Sequence, residues 1–161
     1  MARQSVRMLL VATLLSAACT GTAASVDSAK GTLIVQGSGE PLTLALRHAY
    51  FVTGPDDFDK SKMTRRIIFT GDDVRPTIEA CENARCAMSS VSSGMWLEID
   101  ESSDMRSWAK IDTVQQSGMP NRSALALTTE SAYRLAGTLT ISRGSNPMTI
   151  TFDAPLVKSF P

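Results

Sequence analysis

Residues 42–53, LTLALRHAYFVT, show the pattern on which the predicted fold depends. Every second side chain belongs to a mostly apolar or aromatic series, namely Leu42, Leu44, Leu46, His48, Tyr50 and Val52. The side chains between them form a more polar series, namely Thr43, Ala45, Arg47, Ala49, Phe51 and Thr53. A period of two is typical of a β-strand with one buried face and one face in water. The pattern therefore predicts a single strand over 42–53.

The same alternation recurs along the chain, between turns rich in glycine, proline and aspartate. It predicts further strands over 32–36, 65–70, 94–100, 107–114, 123–129, 133–143 and 148–154. About eight strands at this spacing predict an all-β domain over 31–161, either an antiparallel β-sandwich or a flattened barrel. One stretch departs from the pattern. Residues 76–86, PTIEACENARC, predict one short helix, because Pro76 suits a first helical turn.

Length and composition exclude several classes of protein. A chain of 161 residues that is 43% hydrophobic is long enough for one folded domain and too apolar for wholesale disorder. Its 16 basic residues balance 16 acidic ones, which argues against a nucleic-acid binder. One histidine and three cysteines are too few for a His/Cys zinc site. We therefore predict no metal and no other cofactor.

The first 24 residues have the features of a secretory signal peptide. Arg3 and Arg7 precede the apolar stretch 8–15, MLLVATLL, and small residues follow as far as Ala24. The apolar stretch is shorter than the about 20 residues that a membrane span needs, and no later segment is long enough. Cleavage after Ala24 would leave a flexible segment over 25–30 and 14 basic against 16 acidic residues. The sequence thus predicts a periplasmic or secreted protein.

A second interpretation of the leader stays open. Residues 15–19, LSAAC, resemble a bacterial lipoprotein box, in which a signal over 1–18 is removed and Cys19 is lipidated. Ser16 departs from that motif, because the position usually has Leu, Val or Ile. Under this alternative the protein is a lipoprotein anchored to a membrane.

Cys81 and Cys86 are the only cysteines that remain after cleavage at Ala24. In an oxidising compartment such a pair is expected to form a disulfide. The spacing is not the C-x-x-C of a thioredoxin-type redox centre. Residues five apart lie on different faces of a regular helix, so the bond requires a turn or a broken helix end.

Catalytic motifs are missing from the sequence. His48 is the only imidazole, and the strand pattern places it on the apolar face between Leu46 and Tyr50. The chain has no Gly-x-Ser-x-Gly and no His-Glu-x-x-His run. Acidic clusters at 56–59, 72–73 and 98–104 lack the glycine and final glutamate of an EF-hand loop, so we interpret them as turn caps. The sequence predicts a protein without enzymatic activity.

The two tryptophans indicate a binding surface. A hairpin with its loop over 101–105 would pair Asp100 with Arg106, Glu98 with Trp108 and Trp96 with Lys110. The tryptophans would then be diagonal neighbours on the polar face, among charged side chains. Binding surfaces use exposed aromatic pairs of this kind. The candidate contact residues are Trp96, Glu98, Arg106, Trp108 and Lys110. The alternative is that the helix or a second sheet covers this face, so that the pair belongs to the core.

Patches over most of the chain resemble a group of secreted proteobacterial proteins without an assigned function. They are Gly31-Thr32-Leu33 and residues 46–50 (LRHAY), 55–59 (PDDFD), 67–73 (IIFTGDD) and 151–156 (TFDAPL). The resemblance implies a small exported β-domain and supplies no activity. Members of the group have no cysteines in the segment that corresponds to 81–86, so a disulfide there would be a local feature of this chain.

Together these observations predict an exported, envelope-associated binding module whose partner is a protein or another envelope component and not nucleic acid. Two alternatives remain. Small periplasmic β-proteins of this size inhibit lysozymes or proteases, which is an analogy only. A hydrolase-like enzyme could instead use His48 with a nearby carboxylate or hydroxyl.

Overall fold

The computed structural model describes residues 27–143 and 146–161. These residues form a curled mixed sheet, a half-barrel of ten strands with two short helices. The prediction of an all-β fold is confirmed. The predicted signal peptide, the alternative lipidation at Cys19 and residues 25–26 lie outside the described residues. Of the segment 25–30 that is predicted to be flexible, Ala29 and Lys30 already belong to the first strand.

The strands follow the chain in order, with the helices between the fourth and the fifth. The strands are β1 (Ala29–Val35), β2 (Leu42–Leu46), β3 (His48–Pro55), β4 (Met63–Thr70), β5 (Gly94–Ile99), β6 (Met105–Ile111), β7 (Val114–Gly118), β8 (Leu125–Glu130), β9 (Arg134–Arg143) and β10 (Asn146–Ser159). The helices are α1 (Arg75–Ala80) and α2 (Ala84–Ser89), and a single 3-10 turn (Arg122–Ala124) precedes β8.

The long strand β10 joins two parts of the sheet. Its first ten residues pair antiparallel with β9, and its residues Ile150–Phe152 also pair with β1. From Leu156 onward it pairs parallel with β3, with an irregularity in the register between Leu156 and Lys158. One part therefore has the order β2-β1-β10-β9-β8 and the other β10-β3-β4-β5-β6-β7. The sheet is mixed, with ten strands, where the alternation predicted about eight antiparallel strands.

The single strand predicted over 42–53 is wrong. The chain leaves the first part of the sheet after Leu46 and enters the second part at His48. The backbone of Arg47 forms this corner: its N–H donates to Thr70 O at 2.9 Å, and its carbonyl accepts from the N–H of Ala29 at 2.8 Å. The corner also shifts the alternation by one residue, because Ala49 lies with Leu46 in the inner core. His48 is therefore on the opposite face from Leu46, and not beside it as the sequence predicts.

Two apolar clusters pack against the second part of the sheet. The inner cluster fills the half-barrel with residues from both parts of the sheet, including Leu33, Phe51, Phe69 and Ile150. The outer cluster lies under the helices and includes Tyr50, Val52, Ile68, Ile78, Ala87 and Phe160. Strand β3 is consequently buried on both faces, which explains why its sequence is nearly continuously apolar.

The predicted single helix is divided into two. α1 ends at Ala80, and the Asn83 side chain caps α2 by accepting from Cys86 N at 2.9 Å. The sulfur atoms of Cys81 and Cys86 lie at disulfide distance across this break, and their Cα atoms are 5.5 Å apart. Lys158 Nζ donates to Glu79 O at 2.7 Å and thereby binds the end of α1 to β10. The break that the cysteine spacing requires is thus confirmed.

Gly137 provides a test of the β8–β9 pairing. A Cβ atom at this position would lie 2.2 Å from Ala126 O and 2.9 Å from Leu127 Cα, both of which are backbone atoms. We expect Gly137→Ala to lower the free energy of unfolding by about 1–3 kcal/mol, because neither atom can move without displacing β8. Chemical denaturation measures the change. Gly39→Ala is the matched control, since nothing lies within 4 Å of its Cβ position. Equal effects of the two changes would contradict the pairing.

Candidate functional site

The β5–β6 hairpin places the two tryptophans directly opposite each other. The observed pairs are Trp96 with Trp108, Glu98 with Arg106, and Gly94 with Lys110. The predicted register, in which Trp96 pairs with Lys110, is therefore wrong by two residues. Both registers keep the same residues on the same face, because a shift of two preserves the side-chain period of a strand.

The loop explains the difference in register. The strands end at Ile99 and resume at Met105, so the loop covers 100–104 and not 101–105. The Asp100 carboxylate accepts from Asp104 N at 2.8 Å, and Ser103 takes a positive φ of 68°. The Asp100 side chain closes the loop one residue earlier than the hydrophobic pattern indicates.

Trp96 and Trp108 stack on the outer face of the sheet. Their ring centroids are 5.7 Å apart and their planes differ by 19°. Both residues are half-buried. Trp96 packs against the edge of the cluster beneath the helices, while Trp108 lies on the side away from them. The pair thus lies at the edge of the area that the helices cover. The sequence allows either a fully exposed pair or a pair in the core, and the observed burial lies between these two possibilities.

A buried arginine lies one row away from the tryptophans. Arg66 on β4 has a fully buried side chain and donates through Nε to Glu98 Oε2 at 2.7 Å. Its remaining nitrogens face the backbone carbonyls of Gly54 and Pro55, at 3.4 and 3.2 Å. A buried guanidinium needs a counter-charge and hydrogen-bond acceptors, and this arrangement supplies both.

Glu98 also positions Arg106 on the neighbouring strand. Nη2 of Arg106 lies 2.6 Å from Glu98 Oε1 and 2.9 Å from Asp56 Oδ2. The Glu98 and Asp56 side chains are each only 11% exposed, whereas the Arg106 side chain is 43% exposed. The two carboxylates therefore bind the Arg106 guanidinium from its buried side, and the other side of the guanidinium stays exposed to solvent.

Asp56 connects this ion network to a projecting loop. Its Oδ1 accepts from the N–H groups of Phe58 at 2.8 Å and Asp59 at 3.0 Å. These two donors, together with the Arg106 guanidinium, lower the pKa of Asp56 from 3.8 to about 2. The ring of Phe58, 86% exposed, lies 5.8 Å from Arg106 Cζ. The carboxylate therefore holds the backbone of Phe58, whose side chain projects into the solvent next to a cation.

These residues form one continuous patch, which we call the aromatic surface: Phe58, Trp96, Arg106, Trp108 and Lys110. Arg106, Trp108 and Lys110 alternate along the outer face of β6. Aromatic rings next to fixed cations can stack on a ligand's apolar or planar groups and bind its anionic groups.

The structure brings together all five candidate residues of the hairpin, but Glu98 supports the surface rather than forming it. Three contributors were missed. Arg66 alternates as an outward residue of an ordinary strand, and nothing local indicates that it is buried. Asp56 and Phe58 belong to an acidic turn, where the interpretation of aspartate as a cap is correct for Asp56. The one aromatic residue within the turn sequence 55–59 (PDDFD) is the only signal for them.

His48 belongs to a different cluster, near the start of α1. It is 8% exposed and stacks on Tyr50, with ring centroids 6.2 Å apart. The Tyr50 hydroxyl donates to Asp73 Oδ1 at 2.6 Å and accepts from Val74 N at 3.1 Å. Burial of the phenol and the Asp73 hydrogen bond raise the pKa of Tyr50 to about 12. The cluster fastens α1 to the sheet and leaves little access to the imidazole.

Comparison of the chain with family models, curated proteins and solved structures found no match. The resemblance to the secreted proteobacterial group therefore stays a prediction. Among the described residues no helix is long and apolar enough to cross a membrane. In that same part of the chain no three His, Cys, Asp or Glu side chains are grouped as metal ligands would be.

The lowered pKa of Asp56 gives a pH signature. A carboxylate whose folded pKa is depressed stabilises the fold above its ordinary pKa, and this stabilisation is lost as the pH falls through the folded value. We expect Asp56→Asn to cost about 2 kcal/mol near neutral pH and progressively less between about pH 4 and pH 2. Denaturation at a series of pH values measures the difference.

The exposed residue Asp27 provides the control, because Asp27→Asn should change stability little at any of these pH values. A difference for Asp56→Asn that stays constant as the pH falls would show that Asp56 does not act through its charge.

Proposed function

We propose that this protein is an exported, envelope-associated binding module without enzymatic activity, which contacts its partner through the aromatic surface. The main observation is the stacked Trp96–Trp108 pair beside a half-exposed Arg106 that two buried carboxylates hold in place. Tryptophan and arginine are the residue types most enriched among those that dominate binding energy at interfaces.

The ion network favours binding because it reduces the side-chain entropy that is lost when a partner binds. A free arginine side chain loses rotamer entropy of about 0.5–1.5 kcal/mol when a ligand immobilises it. Arg106 is already restrained by Glu98 and Asp56, and Phe58 by the loop that Asp56 closes. A partner would therefore meet side chains that are positioned in advance.

Export rests on the leader and on the cysteines. Residues 1–24 have the sequence of a signal peptide, with lipidation of Cys19 as the alternative. A disulfide between Cys81 and Cys86 would persist in the periplasm or outside the cell but not in a reducing cytosol. A periplasmic or secreted location supports a role at the envelope, and a lipid on Cys19 would add an anchor.

An enzyme that uses His48 has less support. The imidazole is nearly buried and is stacked on Tyr50, whose hydroxyl is bound to Asp73. A general base needs to reach a substrate proton at hydrogen-bond distance. The aromatic surface, in contrast, is open to solvent at Phe58 and Arg106.

The aromatic surface is tested by the double variant Trp96→Ala, Trp108→Ala. We expect it to abolish saturable binding of the purified protein to envelope fractions of the source cells, because the principal apolar contact is removed. Tyr133→Ala is the matched control, since Tyr133 is also an exposed aromatic residue but lies before β9. Quantitative capture with mass spectrometry measures both. Equal retention by the double variant and by the control would refute the assignment.

Phe58 favours a second candidate function, inhibition of a lysozyme or protease. An aromatic side chain that projects from a rigid loop is suited to enter an enzyme's cleft. If the protein is such an inhibitor, it should slow at least one enzyme in a panel of lysozymes and proteases, and Phe58→Ala should weaken that inhibition about tenfold or more. Tyr133→Ala is again the control, because Tyr133 is also a highly exposed aromatic residue but lies before β9. The absence of inhibition throughout the panel would remove this candidate.

A further inference from the structure

We propose that an extended acidic segment of a partner polypeptide pairs as an additional strand with the free edge of β7 and contacts the aromatic surface with its side chains. This inference rests on the proposed function, because it assigns a chemical class of partner to the same surface.

Strand β7 is the last strand of the second part of the sheet. In the portion of the chain that the structure describes, it pairs only with β6. Its sequence, VQQSG, contains no charged residue and no proline. Proteins usually protect an edge strand with lysine, proline or a bulge, because an unpaired edge is a template for another strand. β7 has none of these protections.

The hairpin geometry identifies which backbone groups are available on this edge. Ile111 and Val114 flank a two-residue loop, in which Asp112 has a positive φ of 54°. Residues that flank such a loop exchange both of their hydrogen bonds, and the pairs then alternate along the ladder. The N–H and C=O groups of Gln115 and Ser117 therefore point away from β6, toward the free edge.

The side chains on the outer face are arranged to meet an added strand. Gln115 and Ser117 are exposed, and Ser117 lies directly opposite Trp108. Because serine is small, it leaves the side of the Trp108 ring uncovered. A strand beyond β7 would lie about 10 Å from β6, a gap that long side chains from both strands can close. Arg106 and Lys110 flank Trp108 on this face.

The partly exposed charged side chains of β6 on this face, Arg106 and Lys110, are both cationic. The carboxylates of Glu98 and Asp56 are largely buried beneath Arg106, and Glu98 also neutralises Arg66. The groups that remain for a ligand are the Arg106 guanidinium and the Lys110 ammonium. Opposite charges on neighbouring strands stabilise a pair, and like charges disfavour it. The complementary segment is therefore acidic at the positions that face outward.

A cleft at the end of β7 provides space for one end of the segment. It has a volume of about 460 Å³, and Ser107, Gly118, Asn121, Thr140 and Ser142 are among the residues that line it. It continues to a stretch of β9 beyond Leu139, where the pairing with β8 has ended. The lining combines hydroxyl and amide groups with apolar side chains such as Pro120 and Ile141 and has no charged side chain, which suits an uncharged portion of the segment.

The other end strands of the sheet are weaker candidates. Strands β2 and β8 end the first part of the sheet, whereas β6, which bears Arg106, Trp108 and Lys110, borders β7. Among the strands that the structure describes, β7 alone combines an unpaired edge with the exposed cations of this patch.

A displayed library of short random linear peptides, selected against the full mature chain, tests the proposal. We expect the enriched peptides to alternate acidic and apolar residues, and we expect their binding to weaken as salt concentration rises. An enriched peptide is resynthesised in two forms, with N-methyl groups on its odd-numbered or on its even-numbered residues. The N–H groups of alternate residues in a paired strand face the neighbouring strand, so the form methylated on the residues that face β7 should lose at least about tenfold in affinity and the other form should lose less. Titration calorimetry measures both. Enrichment of basic peptides, no enrichment at all, or equal affinities of the two methylated forms would overturn the proposal.

Two substitutions at Ser117 test the same strand pairing by changing the protein instead of the peptide. Ser117→Pro removes an outward N–H without taking a donor from the β6 ladder, so it should reduce binding of the selected peptide at least about tenfold. Ser117→Ala retains the donor and should bind like the wild type. The thermal midpoint of each variant verifies folding. If Ser117→Pro is folded and binds normally, strand addition is refuted.

The variants also separate this inference from the proposed function. Loss of envelope binding in the Trp96→Ala, Trp108→Ala variant, with normal binding by Ser117→Pro, would leave the aromatic surface in place and exclude pairing at β7. Sedimentation of the wild type tests a second copy as the occupant: self-association that Ser117→Pro abolishes would overturn the assignment to an acidic partner.

Discussion

The outer face of this half-barrel depends on a charge that water cannot reach. Arg66 has a fully buried guanidinium between β3 and β5, and an unpaired charge in such a place would cost several kcal/mol. Glu98 supplies the counter-charge that Arg66 needs, and its second carboxylate oxygen positions Arg106. Arg106 in turn reaches Asp56, whose other oxygen closes the loop that presents Phe58. One buried charge thereby determines the positions of side chains on three strands and a loop.

The two halves of the outer face are completed by different means. Over β3 and β4 the helices cover Tyr50, Val52 and Ile68 and form an apolar cluster. Over β5 and β6 the described part of the chain places no helix, and the ion network of Arg66, Glu98, Arg106 and Asp56 lies there instead. Trp96 lies where the two halves meet and stacks on Trp108. A surface that is both apolar and firmly positioned is suited to binding a partner, and this is the basis of the proposed function.

The local alternation of side chains is sufficient to predict the class of fold and which side chains share a face. It is not sufficient to predict features that depend on contacts between residues far apart in the sequence. The face shared by Trp96, Arg106, Trp108 and Lys110 follows from the period of a strand alone. Their register does not, because the Asp100 side chain decides where the loop closes. The corner at Arg47 was invisible for a related reason: both faces of β3 are buried, so its apolar residues continue the alternation of β2 without a visible break. The burial of Arg66 depends on Glu98, 32 residues away, and no local pattern specifies it.

The unfolding free energy of Glu98→Gln is the most direct test of the account. The substitution preserves the shape of the side chain and removes the charge that Arg66 and Arg106 share. If the buried guanidinium is the constraint on which this face depends, the loss should be about 3 kcal/mol or more, whereas Glu40→Gln at an exposed position should change little. A loss for Glu98→Gln no greater than that for Glu40→Gln would contradict the account.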